Sequence, residues 1–97
     1  MATYITLVHF TDQGIRNVKQ TTERAKVLSA AAARLGVKVK DLYWTLGAFD
    51  AVLVADAPDD ETMTALALSA GSLGNIRTET MRGYSAGEME KILARLP

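Results

Sequence analysis

The sequence predicts an α+β fold: a ferredoxin-like β-α-β-β-α-β unit with a four-stranded antiparallel sheet, followed by a C-terminal helix. Three observations predict it. Four segments are rich in β-branched and aromatic residues. Two longer segments between them repeat their apolar residues with helical spacing. The second and third strand segments are joined by a link so short that they must form an antiparallel hairpin. The chain has 97 residues, 48% of them hydrophobic, which suits one domain over residues 1–97. A domain this small buries only about 60–65% of the surface of its unfolded chain, so a second copy is one way to enlarge its core.

Residues 3–10 read as the first strand, with Thr3, Tyr4, Ile5, Thr6, Val8 and Phe10. Both of its faces are largely apolar, as in a central strand covered on two sides. Thr11-Asp12-Gln13-Gly14 breaks the pattern, and Asp12 is the expected N-cap of the next helix. Over residues 15–35, Val18, Ala25, Leu28, Ala32 and Leu35 fall on one helical face. Gln20-Thr21-Thr22 is weak helix material and is expected to interrupt the first turns. Gly36 closes the helix, because glycine adopts the left-handed conformation cheaply.

Residues 37–46 form the second strand and residues 50–57 the third, with Gly47-Ala48 as the tight connection. Pro58 stops the third strand, and Asp59, Asp60 and Glu61 suit the positive end of a helix dipole. Met63, Leu66, Ala67, Ala70 and Leu73 mark that helix's apolar face, which ends at Gly74. Residues 76–83 are the fourth strand, with Ile76, Thr78, Thr80 and Arg82 on one side and Arg77, Glu79 and Met81 on the other. Ser85 and Glu88 form a capping box for a terminal helix carrying Met89, Ile92, Leu93 and Leu96. Right-handed crossovers place both long helices on one face of the sheet. The opposite face is left open and is expected to be covered partly by the terminal helix and partly by a second copy. A homodimer, or a higher multiple of dimers, is therefore expected.

Eleven basic and eleven acidic residues cancel, so no basic surface excess points to nucleic acid. The absence of cysteine excludes disulfides and thiolate chemistry. The N-terminal residues carry no basic signal-peptide region, and no apolar run approaches the roughly 20 residues of a membrane span. A soluble, cytoplasmic protein is expected.

Few residues offer chemistry. Asp50 stands at a turn, where its carboxylate either accepts backbone amides or acts as a general base. His9 is the one histidine, at a strand end, and either packs or moves a proton. No second metal ligand stands at a suitable spacing from it, so neither metal nor cofactor is expected. Tyr43 and Trp44 point to opposite sheet faces, as interface anchors or as an aromatic pocket wall. Arg77 and Thr78 belong to a polar run that either protects a sheet edge or holds a ligand oxygen. Arg24, on the first long helix, is a weaker candidate. Gly71 and Gly74 lack the lysine and the strand-to-helix setting of a phosphate loop.

Several segments taken in order resemble one family. They are Tyr4-Ile5, then Phe10-Thr11-Asp12-Gln13-Gly14-Ile15, then Tyr43-Trp44-Thr45-Leu46-Gly47-Ala48-Phe49-Asp50, then Ala57-Pro58-Asp59-Asp60, and last Gly74-Asn75-Ile76-Arg77-Thr78-Glu79-Thr80. Over residues 1 to about 84 the chain resembles the GYD-domain family of small proteins. In the family's naming motif Gly47 and Asp50 match, while Phe49 replaces the usual tyrosine and brings no hydroxyl. The resemblance implies a fold related to the dimeric α+β barrels, a group of isomerases, cyclases, oxygenases and binding proteins. Fold alone does not choose among them. Two functions are therefore expected to compete. One is a homo-oligomeric protein that binds a small molecule between the open sheet face and its cover, using Tyr43, Trp44, Phe49, Arg77 and Thr78. The other is a cofactor-independent isomerase or cyclase in which Asp50 or His9 moves a proton.

Overall fold

The computed structural model describes residues 1–97. Its strands are β1 (Ala2–Phe10), β2 (Lys38–Trp44), β3 (Ala51–Ala57) and β4 (Ile76–Gly83). Its helices are α1 (Asp12–Arg16), α2 (Thr21–Arg34), α3 (Asp60–Ser72) and α4 (Ala86–Leu93), with a 3₁₀ turn at Val18–Gln20 before α2. The sheet order is β2-β3-β1-β4 and every pairing is antiparallel. This is the ferredoxin-like arrangement. No helix is long and apolar enough to cross a membrane.

Strand alternation sorts the side chains into two layers. Tyr4, Thr6 and Val8 of β1 and Ala51, Leu53, Ala55 and Ala57 of β3 are buried beneath α2 and α3. Ala32, Met63 and Leu66 meet them from the helices, and Val37 closes the core beyond the end of α2. Alanine at positions 32, 55 and 57 lets α2 approach the sheet closely, and all three are fully buried. The other sheet face carries Ile5, Leu7, Val52 and Val54, none of them fully buried, with Tyr43 and Met81 exposed.

Four details depart from the sequence expectations. The first helical N-cap is Thr11, whose hydroxyl accepts from the Gly14 amide at 3.0 Å, and Asp12 sits in the first turn instead. Either residue type can cap; here Thr11 has the extended backbone a cap needs. The helical stretch divides at Asn17, three residues before the weak tripeptide, where φ −107° and ψ 29° leave the α region. Arg24 bonds the Asn17 carbonyl at 2.8 Å, beside the Gln20 amide at 3.1 Å, and so braces the break. Strand β2 ends at Trp44, because Thr45 to Asp50 forms a turn closed by a 2.9 Å bond from Thr45 N to Asp50 O. Gly47 takes φ +130° within it.

The fourth departure concerns α4. It does not cover the open sheet face. None of its residues is buried, and Met89, Ile92, Leu93 and Leu96 are exposed. The Ser85–Glu88 capping box is present with both reciprocal bonds. Arg82 pairs with Glu88 at 3.7 Å and stacks over the Tyr84 ring, which ties α4 to the end of β4. With only Tyr84 and Ser85 between β4 and α4, the helix runs on past the sheet instead of folding back. The molecule measures 51 × 31 × 18 Å with a radius of gyration of 14.6 Å. A compact domain of this length has a radius of about 12.5 Å. The excess is the projecting helix.

Candidate functional site

An apolar groove of about 500 Å³ lies between α2, α3 and the sheet. It exists because both helices lift away from the sheet at one end. Helix α2 touches the core through Ala32 in its last turn, while Val27, near its middle, is exposed. Helix α3 does the reverse: Met63 and Leu66 are buried early and Leu73 is exposed at the end. The groove therefore lies under the first half of α2 and the last half of α3. Val8, Phe10, Leu42, Trp44, Ala51 and Leu53 form its floor.

Its mouth is polar. Trp44 Nε1 donates to Thr21 Oγ1 at 3.0 Å, fixing the indole as one wall. Arg24 reaches the Gly14 carbonyl at 3.4 Å as well as that of Asn17. Asn75 also lines the groove, its Oδ1 accepting from Gln13 Nε2 at 3.0 Å. Gly14 brings these groups together. A Cβ at Gly14 falls 1.9 Å from the Asn75 carbonyl oxygen, so only glycine allows this close approach of backbone to backbone. Thr11 N bonds that same carbonyl at 3.1 Å.

The candidate residues do not gather in one place. Trp44 lines the groove, and Tyr43 lies on the opposite face, 61% exposed. The groove lies on the helical side of the sheet, because strand parity turns Leu42 and Trp44 inward. Asp50 Oδ2 accepts the Phe10 amide at 2.8 Å, and Asp50 N donates to Val8 O at 2.8 Å. Its carboxylate therefore fastens the β2–β3 turn to the end of β1, and it does not serve the amides of its own turn. His9 lies on the open face, where its ring packs 4.6 Å from Phe49 and its Nε2 is 3.5 Å from Glu79. Arg77, opposite His9 on edge strand β4, is exposed. Thr78 faces the helices in a second, polar depression with Tyr4, Thr80, Asp60 and Arg82. There the Tyr4 hydroxyl donates to Asp60, and that bond, with burial, pushes the phenol from 10.0 up to about 12.

Sequence reasoning found Trp44 and Arg24 and missed Asn75, Gln13 and the groove itself. Leu28, Leu66 and Ala70 read as core-facing at helical spacing, and they turn toward the sheet. Periodicity reports which face turns inward but not whether the space inside is filled.

The GYD-domain family model matches residues 4–93. The chain is 32% identical over 97 residues to the glutamine synthetase and cystathionine β-lyase binding protein of Thermus thermophilus, covering 99% of each. Its fold is similar to the crystal structure of TTHA0845 from the same organism, with a TM-score of 0.57, 25% identity, and 89% of this chain and 96% of that one covered. An ACT-domain protein from Streptococcus pneumoniae shares the fold at a TM-score of 0.50 and 21% identity, over 84% of this chain and 89% of that one. On the family match and the full-length relative, this chain belongs to the GYD-domain family.

Proposed function

We propose that this protein is a small binding protein without catalysis of its own, which pairs with a second copy and docks on partner enzymes. The observation that carries the reading is the uncovered sheet face. Ile5, Leu7, Val52, Val54, Tyr43 and Met81 form its apolar centre. Charged groups ring it, with Lys40 3.8 Å from Asp56 at one end and His9, Glu79 and Arg77 at the other. An apolar centre with a polar rim is the anatomy of a protein interface. A twofold pair of such faces is self-complementary, and it enlarges a core that is limited by chain length.

Pairing in this way leaves α4 free for other proteins. Its exposed apolar stripe of Met89, Ile92, Leu93 and Leu96 suits a groove on a partner. The relative in Thermus thermophilus is named for binding glutamine synthetase and cystathionine β-lyase. The corresponding two enzymes of this protein's own source are therefore the partners to test first. The engagement of Asp50 by the Phe10 amide supports a structural role for the best acid/base candidate.

Isothermal titration of the protein against those two purified enzymes tests the reading. Saturable binding by at least one is expected, lost in an Ile92→Asp/Leu93→Asp variant that keeps the pairing. Absence of binding to both, with pairing intact, contradicts the docking role.

A further inference from the structure

The groove under α2 and α3 plays no part in that pairing or docking, yet its chemistry is specific. We propose that it binds a small molecule with an apolar body and a carboxylate head, the carboxylate being held by Arg24 and Asn75. The groove's about 500 Å³ lies within the range of small-molecule sites. Its interior is made by Phe10, Leu28, Leu53, Leu66 and Ala70, which offer no hydrogen bonds. An apolar body fits there, and burying it is favourable without any directed contact.

The mouth offers spare donors. Arg24 has five N–H groups and spends two of them, on the Asn17 and Gly14 carbonyls. No carboxylate of the protein lies within ion-pair distance of it. Glu23, the one acid on the groove wall, is turned to Lys26 at 3.3 Å. Asn75 accepts from Gln13 through Oδ1, while its NH₂ donates to no protein group. Both residues approach Gly14: Arg24 bonds its carbonyl, and the Asn75 carbonyl occupies the space a Cβ at Gly14 would need. A half-buried guanidinium with free N–H groups and an amide NH₂ that donates to no protein group, both on residues lining one groove, match the acceptors of a carboxylate. Charge complementarity at the mouth and apolarity within thus select the same amphipathic ligand. The competing occupant is helix α4 of a second copy. The intramolecular route is closed to it, because α4 leaves from the Gly83 end of β4, whereas the groove opens at the Ile76 end, about 25 Å away along the strand.

Trp44 is the only tryptophan and forms a groove wall, so its emission reports occupancy. The full chain is titrated with octanoate and decanoate, and with the matching alcohols as uncharged controls. A saturable change in Trp44 emission is expected, with the carboxylate at least tenfold tighter than its alcohol, the low end for a hydrogen bond to a charged group. Arg24→Gln is expected to bring the carboxylate down to the alcohol's affinity and leave the alcohol unchanged. Asn75→Ala, which keeps Arg24 and its two carbonyl bonds, is expected to weaken the carboxylate alone. Ala70→Phe and Ala31→Met each fill the groove and are expected to abolish binding of both ligands, with the helical circular dichroism retained. No saturable change, equal affinity for acid and alcohol in the unsubstituted protein, or an undiminished preference in both mouth variants overturns the proposal. Binding that emerges only in Ile92→Asp/Leu93→Asp assigns the groove to a second copy's α4 and overturns it equally. None of these outcomes bears on whether the open sheet faces pair.

Discussion

Gly14→Ala sets two physical effects of opposite sign against each other. Gly14 lies in α1, and alanine is favoured over glycine in a helix interior by about 1 kcal/mol. Local propensity alone therefore predicts a more stable protein. The packing predicts the reverse. The new Cβ falls 1.9 Å from the Asn75 carbonyl oxygen and 2.9 Å from its carbon, and both are backbone atoms that cannot swing aside. Overpacking costs about 1–3 kcal/mol, and a contact this short against main chain belongs at the upper end. Pushing β4 and α1 apart also strains the Thr11 N to Asn75 O bond of 3.1 Å and the Thr11 Oγ1 to Gly74 O bond of 2.5 Å, at about 1 kcal/mol for one bond lost. The net expectation is a loss of about 2–3 kcal/mol, or roughly 10–20 °C in melting temperature for a domain of this size. Urea unfolding followed by circular dichroism gives the free energy directly. A change within about 0.5 kcal/mol of zero, or a gain, refutes the claim that α1 is clamped to Asn75.

Four further outcomes rest on named residues. Asp50→Ala is expected to cost about 1–3 kcal/mol by chemical denaturation, because the Phe10 amide loses its acceptor, whereas Asp50→Asn keeps an oxygen there and costs less; equal effects refute the latch. Gly47→Ala meets no neighbouring atom but must hold φ +130°, so strain alone should lower stability by about 1–3 kcal/mol, and a neutral result in the same assay contradicts that turn geometry. The Tyr4 phenol is raised in the folded state from 10.0 to about 12 by its bond to Asp60. Its contribution is therefore complete below about pH 10 and fades as pH rises toward 12, and Tyr4→Phe should remove that part of the alkaline decline in melting temperature. On the acid side, Asp59 and Glu88 are held below the usual carboxylate range, Asp59 by its bonds from Thr62 and Glu88 by its bond from the Ser85 amide. The starts of α3 and α4 should thus loosen as pH falls through those lowered values, seen as faster amide exchange there.

Much of the fold is legible in the sequence because its signals are local. The span of β4 is readable from residues 76–83, and the capping box from Ser85 and Glu88. Opposite placement of Tyr43 and Trp44 needs only strand parity. The features that escape depend on contacts distant in sequence. By local turn chemistry Asp50 should serve its own turn, but its acceptor oxygen goes to Phe10, forty residues earlier. Asn75 carries no signal of its own, since its role arises where α1 and the start of β4 meet across Gly14. The apolar stripe of α4 announces a buried helix, and its spacing cannot say whether the cover comes from its own chain or another.

The claim that the open sheet face is a pairing surface is tested most directly by light scattering after size exclusion at micromolar concentration, on the unsubstituted protein and on Val54→Lys. Val54 sits at the centre of that face, between Ile5 and Asp41. The unsubstituted protein is predicted to run at twice the 10.5 kDa chain mass or a multiple of that, and Val54→Lys at the mass of one chain. A 10.5 kDa monomer for the unsubstituted protein contradicts the account.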